Sequence, residues 1–354
     1  MTVSSLAILV PGNFEDDAPV DGLEATLDLF ATAERLGVDG AWVRHRHLEH
    51  GIGSAAVFLA AASQRTTAIE LGVAVVPIGW ESPFRLAEDF SLADVLSHGR
   101  LQVGLSTGSP HAEILGDLVF DGDWRTFDRG YGRVSRFVEN LRGAFLGADD
   151  TVIQSPGNVQ RPRLQPYAPG LVDRVWYGGG SLRSASFAGS SGLNLLLGNL
   201  TSGEGTDDYG TAQRNQLAAY RAALPTGRTP RVAWGRCVVP TDSADRVSRE
   251  RYRTWYESRL ARQTAPQGPR RTLFSADLVG PAEQIVEQLV HDATLAEVDE
   301  FRIELPYEFA GDEYEQIVSD VVAEVAPALG WTARTARSVP TPTPAPAPQG
   351  VVAA

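Results

Sequence analysis

The sequence predicts an α/β protein of the parallel (β/α)8 barrel class, and two observations lead there. Eight short apolar runs alternate with segments of helical periodicity along most of the chain. Each run reads as apolar throughout, as strands do when a parallel sheet is covered on both faces. The length, 354 residues, fits one large domain of this kind or two ordinary ones. A doubly wound open sheet is the alternative, and no internal repeat is evident.

The first strand, 6–10, stops at Pro11-Gly12, after which Leu23, Leu27, Phe30, Ala31 and Ala33 recur at helical spacing up to Gly37. Strand two, 40–43, runs into the loop Arg44-His45-Arg46-His47-Leu48-Glu49-His50, followed by an alanine-rich helix near 54–64. Strand three, 69–76, ends at Pro77 before a helix at 84–97. Strand four, 101–105, closes on Ser106-Thr107-Gly108 and is followed by one long helix over 127–146. An irregular, proline-bearing insertion, 148–173, then separates helix four from strand five. Strand five ends in three glycines, Gly178-Gly179-Gly180, and passes through Ser181 to a helix at 184–190. Strand six is 194–197, and a loop, 198–208, leads to a helix at 211–223. Strand seven, 231–239, precedes two helices, 244–262 and 281–293; strand eight, 301–305, precedes the last helix, 313–328. The chain therefore divides into a barrel domain, 1–331, and a tail, 332–354, whose Pro/Ala-rich text cannot bury a core and is expected to be disordered.

The net charge of −13 argues against nucleic acid and anionic membrane surfaces as partners. No apolar run reaches the roughly 18 residues of a membrane span, and the start, MTVSSLAILVPGNF, lacks a basic signal-peptide region, so a cytoplasmic protein is expected. The single cysteine, Cys237, excludes an intrachain disulfide and, within an apolar run, reads as a buried structural thiol.

In a barrel, function belongs to the C-terminal ends of the strands. The turn after strand five suits a phosphate: glycines let backbone amides approach an anion, the following helix leaves N–H groups free, and Ser181 and Ser184 add hydroxyls. The alternative is a plain βα turn with Ser181 as its N-cap. The pooled strand ends look apolar, aromatic and short of carboxylates, with Phe14, Trp80 and Tyr307 suggesting a largely apolar substrate. His45, His47 and His50 resemble a metal tract, but two flanking arginines and no acidic partner except Glu49 argue against a metal, and none is expected. Either the loop is a solvated cationic segment, or His45 faces the barrel mouth as an acid/base group. His111 could line a channel, although a surface position suits it better.

Six segments in register carry a family resemblance: 37–42 (GVDGAW), the His45 loop, 71–76 (LGVAVV), 82–89 (SPFRLAED), 97–104 (SHGRLQVG) and the Gly178–Ser181 turn. Together they resemble the luciferase-like flavin monooxygenases, and the ending, 280–330, is similar to an FMN-dependent subgroup of unassigned substrate. The resemblance implies a TIM barrel that binds FMN, reduced by a separate reductase, and oxygenates a small to medium apolar substrate with O2 through a flavin 4a-hydroperoxide. It places Ala74 and Val75 where relatives carry a non-proline cis peptide beside the flavin ring, and Ser106 where they carry a small residue near the reactive carbon. Thr107 falls where relatives carry an arginine thought to pair with phosphate, which leaves Tyr131, Gly179, Gly180, Ser181 and Ser184 to hold that group. His45 matches a proton-transfer histidine, and Arg44 replaces its usual acidic neighbour, where a cation would favour an anionic reduced flavin. The resemblance also implies a homodimer through helices two and three, 55–62 and 87–96. No Gly-x-Gly-x-x-Gly unit follows a strand, so no built-in dinucleotide domain is expected. Hydride transfer with a deazaflavin or FMN, or flavin binding without catalysis, are the competing functions.

Overall fold

Period-two alternation along each strand sends one set of side chains into a barrel and the other against an outer layer of helices, and the chain closes on itself. The computed structural model describes residues 3–334; most of the expected disordered tail, from residue 335 on, lies outside the described residues. The strands are β1 (Ser5–Val10), β2 (Gly40–Val43), β3 (Glu70–Pro77), β4 (Leu101–Ser106), β5 (Val175–Gly178), β6 (Asn194–Leu197), β7 (Val232–Arg236) and β8 (Glu300–Glu304). Each pairs in parallel with the next, and β1 pairs with β8 from Ser5 opposite Glu300 to Leu9 opposite Glu304, which completes the cylinder. Open-sheet topology is thereby excluded.

The outer core lies between this cylinder and helices that include Pro19–Arg35, Ala55–Ser63, Pro83–Leu96, Tyr131–Leu141, Leu182–Ser190 and Tyr209–Ala223. The barrel interior holds a smaller cluster of Ala7, Leu9, Trp42, Trp176, Leu196 and Ala233, with Ala74 and Val75 packed on it. Trp42 and Trp176 meet edge to face at 5.6 Å, and the Trp176 indole donates to Gln102 Oε1 at 2.7 Å.

The strands are not apolar throughout. Glu300, Arg302 and Glu304 alternate along β8 with Phe301 and Ile303, which belong to the outer core. Inside, Arg302 pairs with Glu300 and lies 3.6 Å from the Trp42 ring centre, while Arg231 bridges Glu300 at 2.7 Å and Glu70 at 3.0 Å. Glu300 and Arg302 are buried as a pair, with the half-buried Arg231 and Glu70 beside them, which offsets the desolvation each would suffer alone.

Other elements also depart from the sequence reading. The helix expected over 127–146 occupies only Tyr131–Leu141, because Gly130 is extended and Gly143 has a φ of +69°; a separate helix, Ala112–Val119, precedes it. The insertion contains a small antiparallel hairpin, Ile153–Ser155 with Asn158–Gln160. The run 231–239 breaks at Cys237: Val232–Arg236 stays in the barrel, and Val238–Pro240 pairs with Leu278–Gly280. The last helix is α over Asp312–Asp320 and a π-turn over Val321–Val325, where Pro327 has no N–H to continue the ladder. Cys237 is buried, as expected.

Beyond that helix the chain returns to the N-terminal ends of the strands. The Trp331 indole donates to Asp39 Oδ2 at 2.7 Å, Val3 N donates to Leu329 O at 3.1 Å, and Arg334 N donates to Gly37 O at 2.9 Å. Among the described residues no helix is long and apolar enough to cross a membrane.

Candidate functional site

At the C-terminal ends of the strands, a cavity of about 230 Å³ opens over the inner cluster. Leu9, Ala74, Val75, Leu196 and Ala233 form its apolar wall, Gly178, Gly179, Gly180 and Gly198 its bare-backbone wall, and Arg44, Arg302 and Glu304 its polar edge. The peptide bond between Ala74 and Val75 is cis. A Cβ on Gly178 would meet nothing closer than 3.8 Å, so a side chain there would occupy the cavity itself. Gly235 serves differently: a Cβ there would sit 2.2 Å from Glu304 Oε1, so its absence admits that carboxylate.

Glu304 organises the polar edge. It receives the Arg44 guanidinium at 2.6 Å and Asn199 N at 3.0 Å, which joins the ends of β2, β6 and β8. Burial works against the Arg44 charge, but Glu304 and then Tyr307 outweigh it and raise its pKa above the usual value. The Nε atoms of Arg44 and Arg302 are buried with no hydrogen-bond partner among the described residues.

The loop after β2 keeps the strand's alternation. Arg44 and Arg46 turn toward Tyr307, whose ring centre lies 5.1 Å and 5.3 Å from their guanidinium carbons, and Arg46 donates to the Tyr307 hydroxyl at 2.5 Å. His45 and His47 turn the other way, toward Glu81. Arg44 lines the cavity beside the glycine turn, while His45, the next residue, packs beside His47 and Glu81. Burial, with His47 beside it, pushes the His45 pKa down to about 3, so its ring is neutral at ordinary pH. His47 is lowered by burial and by His111, and Glu81 is raised by burial and by Asp89. The mouth is also not short of carboxylates, since Glu304 and Glu81 arrive from segments remote in sequence.

Beyond Gly180 lies the expected anion end. Ser181 caps the helix Leu182–Ser190 in a reciprocal box with Ser184: each backbone N–H donates to the other's hydroxyl oxygen. Both hydroxyl hydrogens are also used locally, Ser181 Oγ donating to Ser184 Oγ and Ser184 Oγ to Ser181 O, so neither serine has a free donor. Leu182 N donates to Glu204 Oε2 at 2.6 Å, which sets a carboxylate on the positive end of the helix. Nearby, Thr107 N and Oγ1 lie 3.2 and 3.0 Å from the Tyr177 hydroxyl, and burial pushes the Tyr177 pKa up to about 12. Tyr131 lies edge-on to Tyr177, stacks on Phe187 at 4.0 Å and lies under the guanidinium of Arg183 at 5.3 Å. Arg183 is exposed and makes no ion pair among the described residues.

Ser106, half-buried at the end of β4, pairs in register with Pro77 and does not line the cavity. Trp80 is buried against Leu115 and Trp124, and Phe14 lines a separate cleft with His50 and Tyr307. His111 is at the surface, bonded to Glu49 at 3.1 Å. Sequence reasoning missed Arg183, Tyr177, Glu81, Glu304 and Arg302. Arg302 and Glu304 had a visible signal in the alternation Glu300-Phe301-Arg302-Ile303-Glu304.

Residues 4–299 match the family model for luciferase-like monooxygenases. Limonene 1,2-monooxygenase of Rhodococcus erythropolis is 33% identical over 114 residues, 31% of this chain and 30% of that protein. The match spans less than two thirds of the length of such curated relatives. The oxygenating constituent of 3,6-diketocamphane monooxygenase from Pseudomonas putida, solved with FMN, has the same fold at a TM-score of 0.64 and 15% identity, over 92% of this chain and 98% of that one. An F420-dependent secondary alcohol dehydrogenase, solved with an F420-acetone adduct, shares it at 0.59 and 14% identity, over 93% and 99%.

Proposed function

The chain belongs to the luciferase-like monooxygenase family, and on that premise we propose that it is an FMN-dependent monooxygenase that uses O2 to oxygenate a small to medium organic substrate. The observation that carries this reading is the cavity beside Ala74 and Val75, with bare glycine backbone on one wall and the guanidinium groups of Arg44 and Arg302 among its lining. An apolar slot with a cationic rim suits a flat ring whose polar edge gains electron density on reduction. Its volume is below the several hundred Å³ of a pocket for a whole ligand, which fits a ring inside and a chain and phosphate outside. Reduced FMN, when bound, would supply the two electrons for activating O2.

The chain's own residues have the following roles in this reading. Leu9, Ala74, Val75 and Leu196 exclude water from the slot, and Arg44 and Arg302 orient the ring edge. Gly179 and Gly180 lead to the phosphate end, where the cap made by Ser181 and Ser184 aims the helix, and Thr107, Tyr131 and Arg183 surround the anion. Ser106, as a small side chain, leaves room beside the slot. His45, neutral and buried next to Arg44, is the proton acceptor of this reading for a group that reaches past the slot toward Glu81. A separate reductase supplies the reduced cofactor, and the enzyme works as a cytoplasmic homodimer.

Anaerobic titration with reduced FMN followed by turnover under labelled O2, with a reductase present, tests this reading. Expected are binding of one FMN and substrate-dependent incorporation of one labelled oxygen atom. His45→Ala lowers turnover at least about tenfold with FMN affinity unchanged. Peroxide release that ignores the substrate would overturn oxygenation, and preferential binding of F420 with O2-independent reduction of substrate would replace it with hydride transfer.

A further inference from the structure

The alternation that turns Arg44 and Arg46 toward Tyr307 brings two imidazoles together on the opposite side. His45 and His47 are two residues apart on a nearly extended segment, so their rings share a face, with centres 4.6 Å apart. Glu81, just past the end of β3, lies against both: its Oε1 is 4.0 Å from His45 Nε2 and 3.7 Å from His47 Nε2. All three donor atoms lie within 4.8 Å of one another. Both ring nitrogens of His45 and the Nε2 of His47 are buried with no hydrogen-bond partner among the described residues, and His45 is only 7% exposed. Unpaired polar atoms in such a position are uncommon and call for a ligand.

The geometry points to a divalent transition-metal site of the zinc class, held by His45, His47 and Glu81 beside the barrel mouth. Two imidazoles and a carboxylate form the donor set of open zinc centres, which keep a fourth position for water. Bonds of about 2.0–2.2 Å at tetrahedral angles set donor atoms roughly 3.4 Å apart, so the observed separations need only side-chain movements of under about an ångström to close on an ion. Arg133 holds the backbone from which Glu81 projects, donating to the Glu81 main-chain oxygen from Nε at 3.1 Å and from its second terminal nitrogen at 2.6 Å. The side chains of His47 and Glu81 remain 17% and 26% exposed, which gives an ion a way in. Two flanking arginines and no acidic partner except Glu49 spoke against a metal in the loop's own text, and the segment after β3 supplies Glu81 as a further carboxylate. The inference stands apart from the flavin reading, because it concerns binding by the flavin-free chain.

The test is titration of chelator-stripped, flavin-free protein with Co2+, following the visible absorption of the bound ion, and then its displacement by Zn2+. One equivalent is expected to give the intense bands of four-coordinate cobalt. His47→Ala and the isosteric Glu81→Gln should each weaken binding at least about tenfold, while the remote surface variant His291→Ala leaves it unchanged. Melting curves without metal show that the variants are folded, and Zn2+ should raise the melting temperature of wild type but not of Glu81→Gln. Co2+ affinity equal in wild type, His47→Ala and Glu81→Gln overturns the site, whatever the flavin experiment gives.

Discussion

Ser181 and Ser184 use both their hydroxyl hydrogens within the helix cap, so charge for an incoming phosphate must come from elsewhere, and Arg183, beside Tyr131 and without an ion pair among the described residues, can supply it. Glu204 already rests on the same helix end and would compete with a phosphate for it. Two opposite effects follow. Arg183→Ala should weaken FMN binding about tenfold, the loss of one charge-assisted contact, and leave riboflavin, which has no phosphate, unaffected. Glu204→Gln should tighten FMN binding severalfold, again without effect on riboflavin. Fluorescence titration with the two flavins checks both, and equal changes for both ligands would place the phosphate elsewhere. Arg183 lay within the glycine turn's own text, yet an arginine one residue into a helix is ordinarily just solvated surface, so nothing local marked it. Tyr177 was hidden in an apolar strand, and only the three-dimensional approach of Thr107 shows that its hydroxyl is used.

Among the elements, the strands and the glycine turn were legible because period-two runs and Gly clusters are local signals. What was not legible came from pairing between distant segments. Glu81 and Glu304 reach the mouth from loops and strands that no spacing rule connects to residues 44–47. The alternation Arg44-His45-Arg46-His47 was nonetheless on the page, and followed through it separates two cations from two imidazoles. A second distant pairing carries a pH dependence. Glu34, near the end of the helix Pro19–Arg35, accepts from Thr67 N, Ala68 N and Ile69 N at the entry to β3. Burial raises the Glu34 pKa, but these three donors more than offset it, and the net shift is downward. A carboxyl with a lowered folded pKa stabilises the fold fully above its unfolded pKa, near 4.3, and loses that contribution as pH falls through the lower folded value. Glu34→Gln should therefore melt lower at neutral pH, by roughly 2 °C, with the gap to wild type closing as the pH drops below about 4. Calorimetry across that range checks the sign, and a gap that widens in acid would refute it.

For the whole molecule, the succession of eight parallel strands could be read from the sequence, whereas the charged interior could not, because paired arginines and glutamates look like surface residues until the strands close around them. The outer surface bears on assembly. Val57, Leu92, Val95 and Leu96 are exposed on the adjacent helices Ala55–Ser63 and Pro83–Leu96, and Val57 keeps 70% of its surface. Apolar groups on neighbouring helices suit a partner helix pair, which under the proposed reading is a second copy of the chain. Leu92→Glu combined with Leu96→Glu should halve the mass measured by light scattering, with the melting temperature of the fold little changed; a wild type that is already monomeric at micromolar concentration would rule the dimer out.

The bonds of Trp331 to Asp39 and of Arg334 to Gly37 anchor the end of the described chain under the barrel floor. A bead, a fluorophore or a fused carrier attached at Arg334 itself would sit on the side facing away from the opening. Immobilisation through that point should leave substrate traffic at the far pole unhindered.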